Sequence, residues 1–133
     1  MKNIILILSL AVVFFSACQQ ENKTPPTISD LTILEDSILK EQGAQLSFSY
    51  AISDDIELSK FRVRVIDDFS DARLDLAPWF YENDFNVSGA EVIDTMSITL
   101  PYPDLETGVY KLEFTVADID DNETFQQKGF VIY

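Results

Sequence analysis

From Thr27 onward, apolar and polar residues alternate one for one in short segments divided by stretches rich in Asp, Asn, Gly, Ser and Pro. A period of two marks strands with one buried face, and no segment carries the three-to-four spacing of an amphipathic helix. Ala44 to Ile52 is the cleanest case, with Leu46, Phe48, Tyr50 and Ile52 on one face and Gln45, Ser47 and Ser49 on the other. Lys60 to Ile66 buries Phe61, Val63 and Val65 and exposes Lys60, Arg62 and Arg64. Val92 to Leu100 sets Met96, Ile98 and Leu100 against Thr95, Ser97 and Thr99, and Val109 to Ala117 groups Tyr110, Leu112, Phe114 and Val116. Thr27 to Leu34, with Ile28, Leu31 and Ile33 for burial, Leu76 to Val87, read as one aromatic-rich strand or two short ones, and Thr124 to Tyr133 complete the set.

About seven strands at this spacing predict an all-β chain folded as an immunoglobulin-like, Greek-key β-sandwich. Leu105-Glu106-Thr107-Gly108-Val109-Tyr110, just before the sixth strand, resembles the tyrosine corner of such sandwiches, where a Tyr hydroxyl bonds back to the corner backbone. Thr107 to Phe114 followed by Asp118 to Asn122 resembles the closing motif of bacterial Ig-like domains, with Asp121 where Gly is usual. With Thr27-Ile28-Ser29-Asp30-Leu31 and Asp54-Asp55-Ile56-Glu57-Leu58, the chain is similar to the Ig-like lipoproteins of Bacteroidota and resembles the domain of unknown function 4625 family. That resemblance implies an Ig-like fold and a lipid anchor, and no established activity.

The N-terminus has a different pattern. Lys2 precedes an apolar run from Ile4 to Phe15, the length of a signal-peptide core and too short for a membrane span, which needs about twenty residues. Ser16-Ala17-Cys18 resembles a lipobox, with Phe15 where Leu is usual, so residues 1–17 read as a lipoprotein signal peptide and Cys18 as the lipidated residue. An ordinary secretory signal or an N-terminal anchor helix are the plainer alternatives. One acyl chain holds a protein to a bilayer only marginally, so a durable anchor implies several on Cys18. Residues 18–26, polar and ending in Pro25-Pro26, read as a tether, and residues 27–133 as one domain. The expected location is the bacterial cell envelope, anchored to the outer membrane on its periplasmic face or at the cell surface, with the membrane a partner through the N-terminal lipid.

Composition then narrows the chemistry. The formal charge is −14, and loss of the signal takes Lys2 but no acid, moving it to −15. Such a surface excludes nucleic acid as a partner and argues against lying flat on anionic lipid. The chain has one cysteine and no histidine, so a lipidated Cys18 leaves no disulfide, no thiol nucleophile and no Ser-His or Cys-His triad. No enzyme is expected, because adjacent carboxylates such as Asp67-Asp68 point apart in a strand or turn and nothing marks a nucleophile.

Four groups of residues remain as candidates. Asp54, Asp55 and Glu57 in one loop and Asp118, Asp120, Asp121 and Asn122 in another should lie at the same end of the sandwich, where oxygens could meet the six to eight ligands calcium prefers. Turn geometry and solubility explain the same residues without a metal. Trp79 and Tyr81, sent to one face of Pro78-Trp79-Phe80-Tyr81 by alternation, could stack on a glycan or a partner, or serve as aromatic core. The stripe Lys60, Arg62, Arg64 could face an anion or pair with acids across the sheet, Glu113 among them. Asp36-Ser37-Ile38 and Asp94-Thr95-Met96 resemble a short O-glycosylation motif of Bacteroidota. The expectation is a non-catalytic, lipid-anchored Ig-like domain that binds an envelope protein or a glycan. The alternative is an accessory subunit assembling through an edge strand such as Thr124 to Tyr133, with calcium as a stabiliser.

Overall fold

The computed structural model describes residues 24–69 and 76–133. Residues 1–23, including the expected signal and Cys18, lie outside the described residues, as do residues 70–75. Eight strands follow in order: β1 (Thr27–Ile33), β2 (Ser37–Ile38), β3 (Gln45–Ser53), β4 (Leu58–Asp67), β5 (Tyr81–Asn86), β6 (Glu91–Thr99), β7 (Gly108–Asp118) and β8 (Glu123–Ile132). They form a three-stranded sheet, β1-β3-β6, and a five-stranded sheet, β2-β8-β7-β4-β5. All pairings are antiparallel except β2 with β8. The fold is the Ig-like sandwich that the alternating pattern predicts.

The two sheets close on each other because alternation gives each an apolar inner face. Leu46, Phe48, Tyr50 and Ile52 of β3 meet Phe61, Val63 and Val65 of β4, with Leu112, Phe114 and Val116 of β7 beside them, all buried. Phe61 lies at the centre of an aromatic cluster, stacked on Phe114 at 5.1 Å and on Phe85 at 5.0 Å, with Tyr50 tilted against it at 5.0 Å. Fully burying one such side chain stabilises by about 1.5–3 kcal/mol. Packing of this kind holds a domain that lacks a disulfide.

Three expectations change. The strand count rises to eight because the chain crosses from one sheet to the other after Ile33 and pairs briefly with the end of β8, where Val131 N donates to Asp36 O and Tyr133 N to Ile38 O. That crossing covers one end of β8, so Thr124 to Tyr133 is not a free edge along its whole length. The stretch Leu76 to Val87 is strand only from Tyr81 to Asn86; the residues before Tyr81 run outside the sheet because their amides bond elsewhere, Trp79 N donating to the Tyr110 hydroxyl and Leu76 N to Glu106 Oε2.

Candidate functional site

The strand directions divide the molecule into two ends of different chemistry. At one end lie the start of β1, the β3–β4 loop and the β7–β8 loop: Thr27 pairs with Ser53, and Ile119 N donates to Glu57 O. The chain enters here, with Thr124 Oγ1 donating to Pro26 O. This end holds Asp54, Asp55, Glu57, Asp118, Asp120, Asp121 and Asn122, as their loop positions predict.

Local hydrogen bonding accounts for two of the loop carboxylates, Asp54 and Asp118. Asp54 Oδ2 accepts from Ile56 N and Glu57 N, both at 2.9 Å, closing the turn into β4. Its other oxygen is buried without a hydrogen bond. Asp118 is fully buried; its Oδ1 accepts from Asp120 N and Asn122 N at 2.9 Å and its Oδ2 from Asn122 Nδ2 at 2.7 Å. This pattern holds the hairpin while Asp121 takes φ of 62°, a conformation Asp tolerates better than most residues. Asp55, Glu57, Asp120 and Asp121 are exposed. Among the described residues no group of three or more acidic, histidine or cysteine side chains is disposed to hold a metal ion. The structure therefore brings the two loops together but does not aim their carboxylates at a common point.

The opposite end is built on the tyrosine corner. Tyr110 is fully buried, and its hydroxyl donates to Glu106 O at 2.6 Å while accepting Trp79 N at 3.2 Å. Burial holds the phenol above the usual tyrosine range; the hydrogen bond from Trp79 N pulls the other way, and Asp67 and Glu106 add to the upward push. Gly108, at φ of 145°, lets the Phe69 ring approach the corner, and that ring meets Tyr110 edge-on at 5.2 Å. Trp79 is only 5% exposed and packs edge-on against Tyr110 and Phe130. Trp79 is thus core, and the exposed Trp79/Tyr81 platform is corrected: Trp79, before the strand begins, is turned inward at the tyrosine corner, Tyr81 packs half-buried against the core, and Phe80 is left outward at 65% exposure.

Around this corner exposed apolar side chains stand among exposed acids such as Glu35, Asp36, Asp67, Asp68 and Asp104. Eight of the twelve large hydrophobic side chains exposed among the described residues lie at this end, just after β2, at the end of β8 and just past it, at the start of β7 and in the loops before β2, β5 and β7. Val109 and Val131 face each other across β7 and β8 on the outer face, with Tyr133 next along β8 and Leu39 beyond β2, where Lys40 N bonds Tyr133 O. The four form one corner patch. Its signal in the sequence was the apolar residues at outward positions of two strands whose inward positions were already full.

The two arginines of the basic stripe pair with acids of their own sheet. Arg62 Nε meets Asp84 Oδ1 at 2.6 Å and its terminal nitrogen meets Asp84 Oδ2 at 3.1 Å. That fork holds the Asp84 carboxyl below the usual carboxylate range. Arg64 lies 3.3 Å from Glu113, the neighbour expected from the sequence, and 3.4 Å from Glu82. Ser37 and Thr95, the hydroxyl residues of the two glycosylation-like motifs, are exposed.

Two solved structures similar to this chain are the CARDB domain of a Pyrococcus furiosus protein, in complex with di-metal ions, and a beta-glucosidase from Listeria innocua, in complex with glucose. The first is 15% identical with a TM-score of 0.47, covering 81% of this chain and 87% of its own. The second is 14% identical with a TM-score of 0.46, covering 80% of this chain and 15% of its own length. No curated protein matches the chain. A family model described as "Domain of unknown function" matches residues 16–133, nearly all of the sequence. The chain belongs to the DUF4625 family of domains of unknown function.

Proposed function

We propose that this chain is a lipid-anchored, non-catalytic Ig-like domain of the bacterial cell envelope that binds a protein or glycan partner at the end away from the membrane. The observation that carries the reading is the exposed apolar corner at the end opposite the chain's entry. The chain enters the domain beside the acidic loops, at Pro26 and Thr24 to Thr27, so a lipid on Cys18 tethers it by its most negative end. The far end bears the apolar corner of Leu39, Val109, Val131 and Tyr133, and contiguous exposed apolar surface rimmed by polar residues marks interaction sites. A rigid frame supports that corner, since β7 and β8 are paired there by the buried Tyr110 and Phe130, stacked at 5.7 Å.

The test is capture from envelope extracts and from purified envelope polysaccharide by the full chain, compared with a Val109→Glu/Val131→Glu variant. Both positions point outward, so the variant folds. A protein or a polysaccharide retained by the parent and lost by the variant supports the reading; equal retention by both places the partner elsewhere.

A further inference from the structure

Among the described residues strand β6 forms one edge of the three-stranded sheet, pairing with β3 through nine consecutive residues and with no bulge. Leu100 N donates to Ala44 O, and Ala90 O accepts from Asp54 N, so the even-numbered positions of β6 turn their backbone groups towards β3. The odd positions, Glu91, Ile93, Thr95, Ser97 and Thr99, therefore present theirs to the open edge. Other edges are interrupted: β1 has a bulge between Ile28 and Asp30, β5 is short at six residues, and the end of β8 is covered by β2. Natural proteins blunt long edges with bulges, prolines or lysines, and β6 has none of these. It carries Ile93, 70% exposed, and two acids, Glu91 at its start and Asp94, whose carboxylate accepts Thr95 N at 2.8 Å.

The core beside this edge is also incompletely covered. Val92 and Met96 on β6 and Tyr81 and Phe85 on β5 sit at inward positions yet remain half-exposed. In the constant-type Ig arrangement a fourth strand occupies this place next to the third.

We propose that the free edge of β6 takes an extended polypeptide segment as a fourth strand, with a Lys or Arg opposite Asp94. That cation draws the carboxylate off Thr95 N, freeing the amide to join the new ladder, the mode of recognition in which main-chain bonds give affinity and side chains give selectivity. Charge selects the occupant: β6 carries Glu91 and Asp94 and no basic residue, on a chain of net charge −14. A second copy of β6 paired about Thr95 would set two Asp94 carboxylates diagonally across the edge, about 7–8 Å apart, with no cation between them. The proposal rests on the partner-binding reading for its biological meaning and not for its geometry, and it narrows that partner to a polypeptide.

The test is amide hydrogen exchange of the full chain in detergent with an end-capped nine-residue peptide of alternating Thr and Val carrying a central Lys, against the same peptide with a central Glu. The Lys peptide is expected to slow exchange at Ile93, Ser97 and Thr99, with affinity about five-fold above the Glu peptide, a gap that Asp94→Asn abolishes. No protection at these amides, equal protection by both peptides, or protection that rises with protein concentration alone would each overturn it. Failure here leaves the lipid anchor and the far-end corner standing, because neither involves β6.

Discussion

Replacing Tyr110 by Phe removes one oxygen atom and leaves the ring in place, which makes it the cleanest probe of the corner that frames the far end. The hydroxyl serves two backbone groups, accepting Trp79 N and donating to Glu106 O. Without it both groups lose this hydrogen bond. An unsatisfied buried polar group costs about 1–3 kcal/mol, and the Glu106 carbonyl, in a half-buried residue, recovers part of its share from water. The expected loss is about 2–3 kcal/mol, or roughly 10 °C in Tm for a domain of this size. Urea unfolding followed by Trp79 fluorescence reads it directly, since this sole tryptophan is buried in the folded chain. The midpoint should fall at unchanged m-value, while Tyr133→Phe, at an exposed position, should leave it in place. A second readout is pH. The folded phenol is held above its ordinary pKa, chiefly by burial, so its contribution is complete below about pH 10 and is lost as pH rises through the folded value. Tyr110→Phe should flatten that alkaline limb, leaving the part due to Tyr50, which burial and Asp94 also raise. A variant within about 0.5 kcal/mol of the parent would refute the reasoning, because surface-like changes have that size.

Gly108→Ala places a Cβ against the Phe69 ring at φ of 145° and should cost about 2 kcal/mol in the same assay, with Phe69→Ala relieving the clash but not the backbone strain. Asp118→Ala strips the acceptor from Asp120 N, Asn122 N and Asn122 Nδ2 and should cost about 2 kcal/mol by thermal melting. Asp118→Asn, which keeps an oxygen for the two backbone donors, should cost less. Calcium against chelator should leave the melting midpoint unmoved, since Asp54 and Asp118 are committed to their own turns; a rise in midpoint with calcium would show that the exposed carboxylates converge on the ion.

The strands legible in the sequence were those whose alternation is unbroken. In β3 and β7 every second residue is large and apolar, and these strands stand at the centre of the fold. The tyrosine corner was legible because it depends on local spacing, Glu106 to Tyr110. Strand β2 was not, since two residues carry no period and only the long-range contact with Val131 and Ile132 makes Ser37-Ile38 a strand. Pro78-Trp79-Phe80 looked like strand for its aromatic content, and its backbone is drawn out of the sheet by a hydrogen bond from residue 79 to a hydroxyl 31 residues away. The acidic loops were placed at the correct end, but the destination of each carboxylate depends on turn geometry that composition does not reveal. Asp94 left a sign that is clear only with the sheet order known: it is the one charge on the Val92, Met96, Ile98 face of β6.

Metabolic labelling with a radiolabelled fatty acid in a bacterial host that processes lipoproteins tests most directly whether the acidic end is the tethered one. The full chain should take up label and sediment with membranes, while Cys18→Ala should take up none and appear in the soluble fraction. A Cys18→Ala chain that still partitions with membranes, or a parent chain that stays unlabelled, would contradict the lipid anchor and the orientation that follows from it.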